Sequence, residues 1–201
     1  MGLVAMIAGL AIFIGAHVFV TQRAARARVI ARIGEGPYKG IFSLVSIVGI
    51  ALIVFGFGYY RDTGWIDVWE PPRWTRYPAA VLMWIAFVCA VAAYVPGNIK
   101  LQLRHPLLAA VSLWAVAHLI ANGDLGSIIL FAAFLAWAGW DRFSLRHRTD
   151  ETQGFTAFPP GGASNDAVAV VIGTVIFLAF GYVFHPLWIG VPVFGTPALG
   201  T

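Results

Sequence analysis

Long apolar runs alternate along this chain with short stretches rich in charge, proline and glycine. Six of the runs predict transmembrane helices, at approximately 3–20, 41–60, 78–95, 107–121, 125–140 and 167–187. At about 1.5 Å per residue, a hydrocarbon core of about 30 Å takes about 20 residues to cross. The fourth and fifth runs fall short, at roughly 24 Å each. Only Asn122-Gly123-Asp124 separates them, and that is turn chemistry, so residues 106–141 predict a tight antiparallel hairpin. Such a hairpin either crosses a locally thinned bilayer or leans on the other helices. Residues 142–166, with FPPGGASND at 158–166, predict an exposed connector to the sixth helix. The expected fold is an all-α integral membrane protein, a six-transmembrane-helix bundle forming one domain over residues 1–201.

Lysine and arginine between the runs set the orientation. Arg23, Arg26, Arg28, Arg32 and Lys39 lie in the first loop, Lys100 and Arg104 in the third, and Arg142, Arg146 and Arg148 in the fifth. Those ten share one side, whereas the other carries only Arg61, Arg73 and Arg76, diluted by Asp62, Asp67 and Glu70. The basic side marks the cytoplasm, so both termini are expected in the periplasm. Residues 3–20 lack a basic leading segment and a small-residue cleavage site, and are expected to remain as a span. In the second loop, Trp65, Trp69 and Trp74 suit an interfacial aromatic belt or, alternatively, a lid over a pocket.

Composition agrees with lipid as the main solvent. Apolar residues make up 60% of the chain and charged ones 11%, against roughly 25% charged in soluble domains. The net charge of +4 is small and resides in loops, which makes it a topology signal and not a nucleic-acid footprint. A single cysteine, Cys89, excludes an intrachain disulfide. No phosphate-binding glycine loop, HExxH, CxxC or GxSxG motif occurs, which leaves nucleotide and protease chemistry without support.

The candidate chemistry lies in histidine. His17, His105, His118 and His185 sit in or at the ends of spans, while His147, inside RHR, belongs to a solvated loop. Ionisable groups within spans usually face the protein interior and mark function. The alternative is a neutral imidazole bonded to a carbonyl of a neighbouring helix. His105 and His118 are about 20 Å apart along one helix, so they cannot both ligate one iron. A bis-histidine haem would take its other ligand from His17 or His185. Zinc is disfavoured, because the clustered Cys/His spacing is missing and the carboxylates lie in loops.

Three stretches, GAHVFVTQRAAR around His17, GPYKGIFSLVSIVGIALIVFGF at 36–57, and RHPLLAAVSLWAVAHLIANGD with the later WDRFSLRHR, resemble the NnrU family of bacterial membrane proteins. The loop VWEPPRW fits the same family, and the similarity covers most of residues 1–148. The resemblance implies an inner-membrane protein associated with nitric oxide and nitrite reduction in denitrifying bacteria. It also implies a domain shared with zeta-carotene isomerase, a membrane enzyme that uses haem b on a polyene. By that resemblance His17 and His118 are the metal ligands of a haem b. The isomerase has a cysteine three residues before the second histidine, whereas this chain has Ala115, so thiolate switching is not expected. Arg104, Arg142 or residues of the first loop would pair with the propionates. His105 is a further cofactor-binding candidate.

Depth favours a different pairing. His17 lies near the cytoplasmic end of the first span and His118 toward the outer end of the fourth, so depth alone joins His17 with His105 and His118 with His185. Pairing His17 with His118 requires the first helix to continue past residue 20 or the short fourth to sit low. Two further readings remain open. Arg104-His105-Pro106 also resembles membrane methyltransferases that use S-adenosylmethionine, although the acidic element those enzymes carry is reduced here to Asp141, Asp150 and Glu151. Alternatively, the chain is a non-enzymatic accessory protein of a membrane complex. Expected partners are the lipid bilayer, a hydrophobic small molecule or nitric oxide, and a membrane protein, with no nucleic acid.

Overall fold

The computed structural model describes residues 1–146 and 161–194. Among these residues the regular structure is helical, apart from one isolated bridge between Asp67 and Asp124. The helices of the first half are α1 (Gly2–Thr21), α2 (Arg23–Ile33) and α3 (Glu35–Thr63), then α4 (Arg76–Ala92) after a 3-10 turn at Arg73–Thr75. They are followed by α5 (Asn98–Leu103), α6 (Pro106–Ala121), α7 (Leu125–Arg146) and α8 (Gly162–Ala179), the last running into a π-helical segment, Phe180–Ile189. Among the described residues, five stretches are long and apolar enough to cross a membrane: Gly2–Thr21, Glu35–Thr63, Arg73–Ala92, Leu125–Leu145 and Gly162–Ile189. α6, with 16 residues, is the short apolar helix anticipated for the fourth run. The chain is thus a multi-pass helical membrane protein.

Several boundaries differ from those anticipated. The first loop holds α2, because RAARARVIARI is built of strong helix formers and only Gln22 interrupts it. Gly34, at φ 87°, ends that helix in a conformation that glycine adopts without strain. α7 continues through WDRFSLR to Arg146, beyond the apolar run that ends at 140. α8 begins at Gly162 and not near 167, so residues 162–166 belong to its first turns and not to a connector. Ser, Asn and Asp suit helix starts as well as loops. Here Ser164 donates to the Gly161 carbonyl at 2.7 Å, Asn165 Nδ2 to the Pro96 carbonyl at 2.8 Å, and Asp166 Oδ1 accepts from the Ile99 backbone N–H at 2.9 Å. Residues 147–160, including His147, Arg148, Asp150 and Glu151, lie outside the described residues.

The described residues form two compact units that interleave along the chain. One comprises residues 1–70 and 122–144; the other comprises 71–121 and the described residues from 145 onward. In the first, α1 and α3 pack with backbones in contact. A Cβ on Gly9 would lie 2.7 Å from the Gly49 carbonyl oxygen and from the Ile53 nitrogen. One on Gly56 would strike the Met6 backbone, and one on Gly2 the Tyr60 backbone. Small residues at such positions let membrane helices approach closely, which is how they gain packing energy when lipid removes the hydrophobic drive. The loop after α3 folds over the turn before α7: Val68 and Trp69 donate their backbone N–H groups to the Gly123 carbonyl at 2.9 and 3.1 Å. Trp65 and Trp69 stay 49% and 42% exposed, as a belt at an interface requires.

In the second unit α4 packs against α6 and α8. Gly173 of α8 lies against Val88, where a Cβ would be 2.7 Å from Val88 Cα. Trp84 Nε1 also donates to Thr174 Oγ1 at 2.8 Å. Large apolar side chains such as Leu44, Ile47, Phe55, Val171 and Val175 are exposed on the helix surfaces, the arrangement that lipid contact demands.

Candidate functional site

His17 lies one turn before the end of α1, on the stripe formed by Gly2, Met6, Gly9 and Phe13, spaced at three to four residues. The glycines bring α3 close, and Phe42 of that helix meets the imidazole with ring centroids 5.1 Å apart. Phe13 covers another side at 4.1 Å, and Trp137 of α7 approaches edge-on at 5.5 Å. His17 Nδ1 donates to the Phe13 carbonyl at 2.8 Å. A carbonyl only accepts, so Nδ1 carries the proton and Nε2 of the neutral ring carries the lone pair. Metal-binding histidines are oriented by this kind of bond.

Other polar groups of the first unit are buried without a hydrogen-bond partner among the described residues: Tyr38 Oη, Ser46 Oγ, Trp137 Nε1, Arg26 Nε and Asp124 Oδ2. Tyr38, Phe42 and Ser46 follow one another at i, i+4 and i+8, so both orphaned hydroxyls flank the ring that touches His17. The Arg26 guanidinium stands 5.6 Å above the Tyr38 ring centroid. Asp124 is 1% exposed at the start of α7, where its Oδ1 accepts from the Ser127 backbone N–H at 2.8 Å. Arg142, half-buried, lies farther along α7, on the turn after Trp137.

His118 belongs to the second unit, three residues before the end of α6. It repeats the His17 geometry: Nδ1 donates to the Trp114 carbonyl, four residues back, at 2.8 Å. Ala115 beside it is fully buried. His185 sits in the π-helical segment around Pro186, and its Nδ1 donates to the Val191 carbonyl at 2.7 Å. π-helical turns are rare and concentrate at functional sites.

Arg104 and His105 form the sharp entrance to α6. Arg104 has φ 60° and ψ −46°, and the His105 N–H bonds back to the Leu103 carbonyl at 2.7 Å. That is a γ-turn of the rare positive-φ kind, strained by about 1–3 kcal/mol for a side-chain-bearing residue. Pro106 then occupies the first helical position, as anticipated, and the His105 carbonyl accepts from Ala109 N at 3.2 Å. Arg104 is exposed and His105 half-buried.

The sequence-predicted residues therefore separate. His17 and Arg142 lie in the first unit; His118, His185, Arg104 and His105 lie in the second. Among the described residues no three His, Cys, Asp or Glu side chains gather as a metal cluster. A haem iron needs fewer, because its porphyrin supplies the equatorial donors. Sequence reasoning did not single out Tyr38, Ser46 and Trp137. The four-residue spacing of Tyr38, Phe42 and Ser46 was the available signal.

No curated protein and no solved structure matches the chain. The family model described as NnrU protein matches residues 5–193, nearly the whole length, and the chain accordingly belongs to the NnrU family.

Proposed function

We propose that this chain is a haem b protein of the bacterial inner membrane, with His17 and His118 as its imidazole ligands. What supports the reading is the geometry these two residues share. Each donates Nδ1–H to the carbonyl four residues earlier at 2.8 Å, which leaves Nε2 as the coordinating nitrogen. Arg26 and Tyr38, in the same unit as His17, carry the donor chemistry that a propionate asks for. Bound haem would supply one-electron redox chemistry, nitric oxide binding, or isomerisation of a hydrophobic polyene. The protein would hold the ring, orient the imidazoles and exclude water. Purified protein should show a Soret band and, reduced, the sharp visible bands of a six-coordinate low-spin haem. Colourless protein after expression with ample haem would sink the proposal.

A second ligand pairing has an observation of its own. His118 and His185 belong to the same compact unit, which favours a His118–His185 pair. The two pairings separate on single variants: His17→Ala changes the spin state under the first, and His185→Ala under the second.

The proposed topology has six crossings, α6 included, with both termini in the periplasm. The ten-to-three division of lysine and arginine supports it. A phosphatase fusion at Thr201 should be active; a fusion active only with a cytoplasmic reporter would overturn the terminus placement and the crossing count together.

A further inference from the structure

Burying a polar atom without a hydrogen bond is costly, so isolated cases are rare and several in one unit call for a physical reason. Arg26 Nε, Tyr38 Oη, Ser46 Oγ and Trp137 Nε1 are four such atoms within the first unit. Contacts already described connect them: Arg26 stands over Tyr38, Tyr38 and Ser46 flank Phe42 on α3, and Phe42 and Trp137 both touch His17. Their chemistry has one sense. Guanidinium and indole nitrogens can only donate, and both hydroxyls are able to. Of the four, Arg26 and Tyr38 stand together, with the guanidinium 5.6 Å above the phenol ring, whereas Ser46 lies about two helical turns from Tyr38. The Glu35 carboxylate, at the start of α3, is already bonded to Lys39 at 2.8 Å. Among the described residues neither Arg26 Nε nor Tyr38 Oη meets an acceptor, and the pair carries one formal positive charge. Tyr38 is only 9% exposed, and aromatic rings enclose His17. A hydrated inorganic anion would therefore lose its water on entry, whereas a carboxylate carried on an apolar body would bury both of its parts.

We propose that Arg26 and Tyr38 form a receptor for the carboxylate of an apolar ligand lying beside His17. Arg26 supplies charge and a directed N–H, and Tyr38 supplies a hydroxyl donor. On the haem reading, on which only the identity of the ligand rests, the carboxylate is a propionate. The first-loop residue that binds it is then Arg26.

The test uses the full-length protein in lipid nanodiscs with two pairs of probes: haem against its dimethyl ester, and nitroxide-labelled stearic acid against its methyl ester. A charge-assisted hydrogen bond is worth a factor on the order of tenfold or more in affinity. The wild-type protein should prefer the acid over the ester by about that factor for the ligand it accepts. The Arg26→Gln/Tyr38→Phe double variant should bind the ester as before and lose the preference. Tyr38→Phe alone guards against misfolding as an explanation. Deleting an unsatisfied buried hydroxyl should leave the ligand-free melting temperature unchanged or higher, while the ligand-induced rise in melting temperature shrinks. A preference seen with stearic acid, and with haem not bound at all, upholds the receptor and removes the haem reading. Haem bound equally well as acid and ester upholds the haem reading and removes the receptor. A wild-type protein with no acid preference for either probe, a double variant that retains it, or a Tyr38→Phe protein that melts lower without ligand each overturns the proposal.

Discussion

Gly56→Ala protein is expected to melt well below the wild type in detergent, whereas Gly58→Ala, two residues along the same helix, should match or exceed it. Alanine is a better helix former than glycine by about 1 kcal/mol, so propensity alone favours both changes. Space decides between them. A Cβ at position 56 would lie 2.9 Å from the Gly2 carbonyl oxygen and the Met6 Cα, and closer still to the Met6 nitrogen. These are backbone atoms of α1, so no side chain can rotate out of the way and the helix itself must move. At position 58 a Cβ meets nothing within 4 Å. Overpacking of this kind costs about 1–3 kcal/mol, and lipid offers no hydrophobic gain to draw α1 back. Displacing α1 also carries His17 away from Phe42, so ligand retention should fall with stability. Equal melting temperatures for the two variants would mean that α1 and α3 do not meet as described.

His118→Ala should convert the haem spectrum from low to high spin and allow carbon monoxide to bind the reduced protein. On the haem reading no neighbouring sulfur can replace the imidazole: Ala115 has none, and Cys89 is buried among other side chains in α4 at 5% exposure. His105→Ala offers the contrast. Its position at the entrance of α6, about 20 Å from His118 along the helix, puts it out of reach of the same iron. That variant should stay low-spin and lose only occupancy. If His105→Ala becomes high-spin and His118→Ala does not, the ligand assignment is reversed.

Hydropathy located the spans well because a bilayer tests apolar length directly: α1, α4 and α6 lie within a few residues of the runs that predicted them. It located helix ends poorly, since lipid contact stops where charge begins and helical hydrogen bonding does not. Trp140–Arg146 and Gly162–Asp166 are polar turns of helices whose apolar parts alone were visible. α2 escaped for the same reason, being helical but not apolar. The π-helical register around His185 leaves no composition signature, because it depends on how the chain accommodates Pro186. In the candidate site, His17 and His118 could be picked out as imidazoles in spans. The bond from each ring to the carbonyl four residues back needed coordinates, as did the unsatisfied donors, since hydrogen-bond satisfaction is a property of neighbours and not of residue type.

The interleaving of the two units fixes an order in time. Residues 1–70 can insert and join α1 to α3 as soon as both emerge, but the wall of the His17 cage that Trp137 provides is made later, after residues 71–121 of the other unit. At about 5–20 residues per second that interval lasts several seconds during synthesis. Throughout it, the face of His17 destined for α7 is open to lipid or to whatever assists insertion. The cage around His17 is therefore complete only once α7 has arrived.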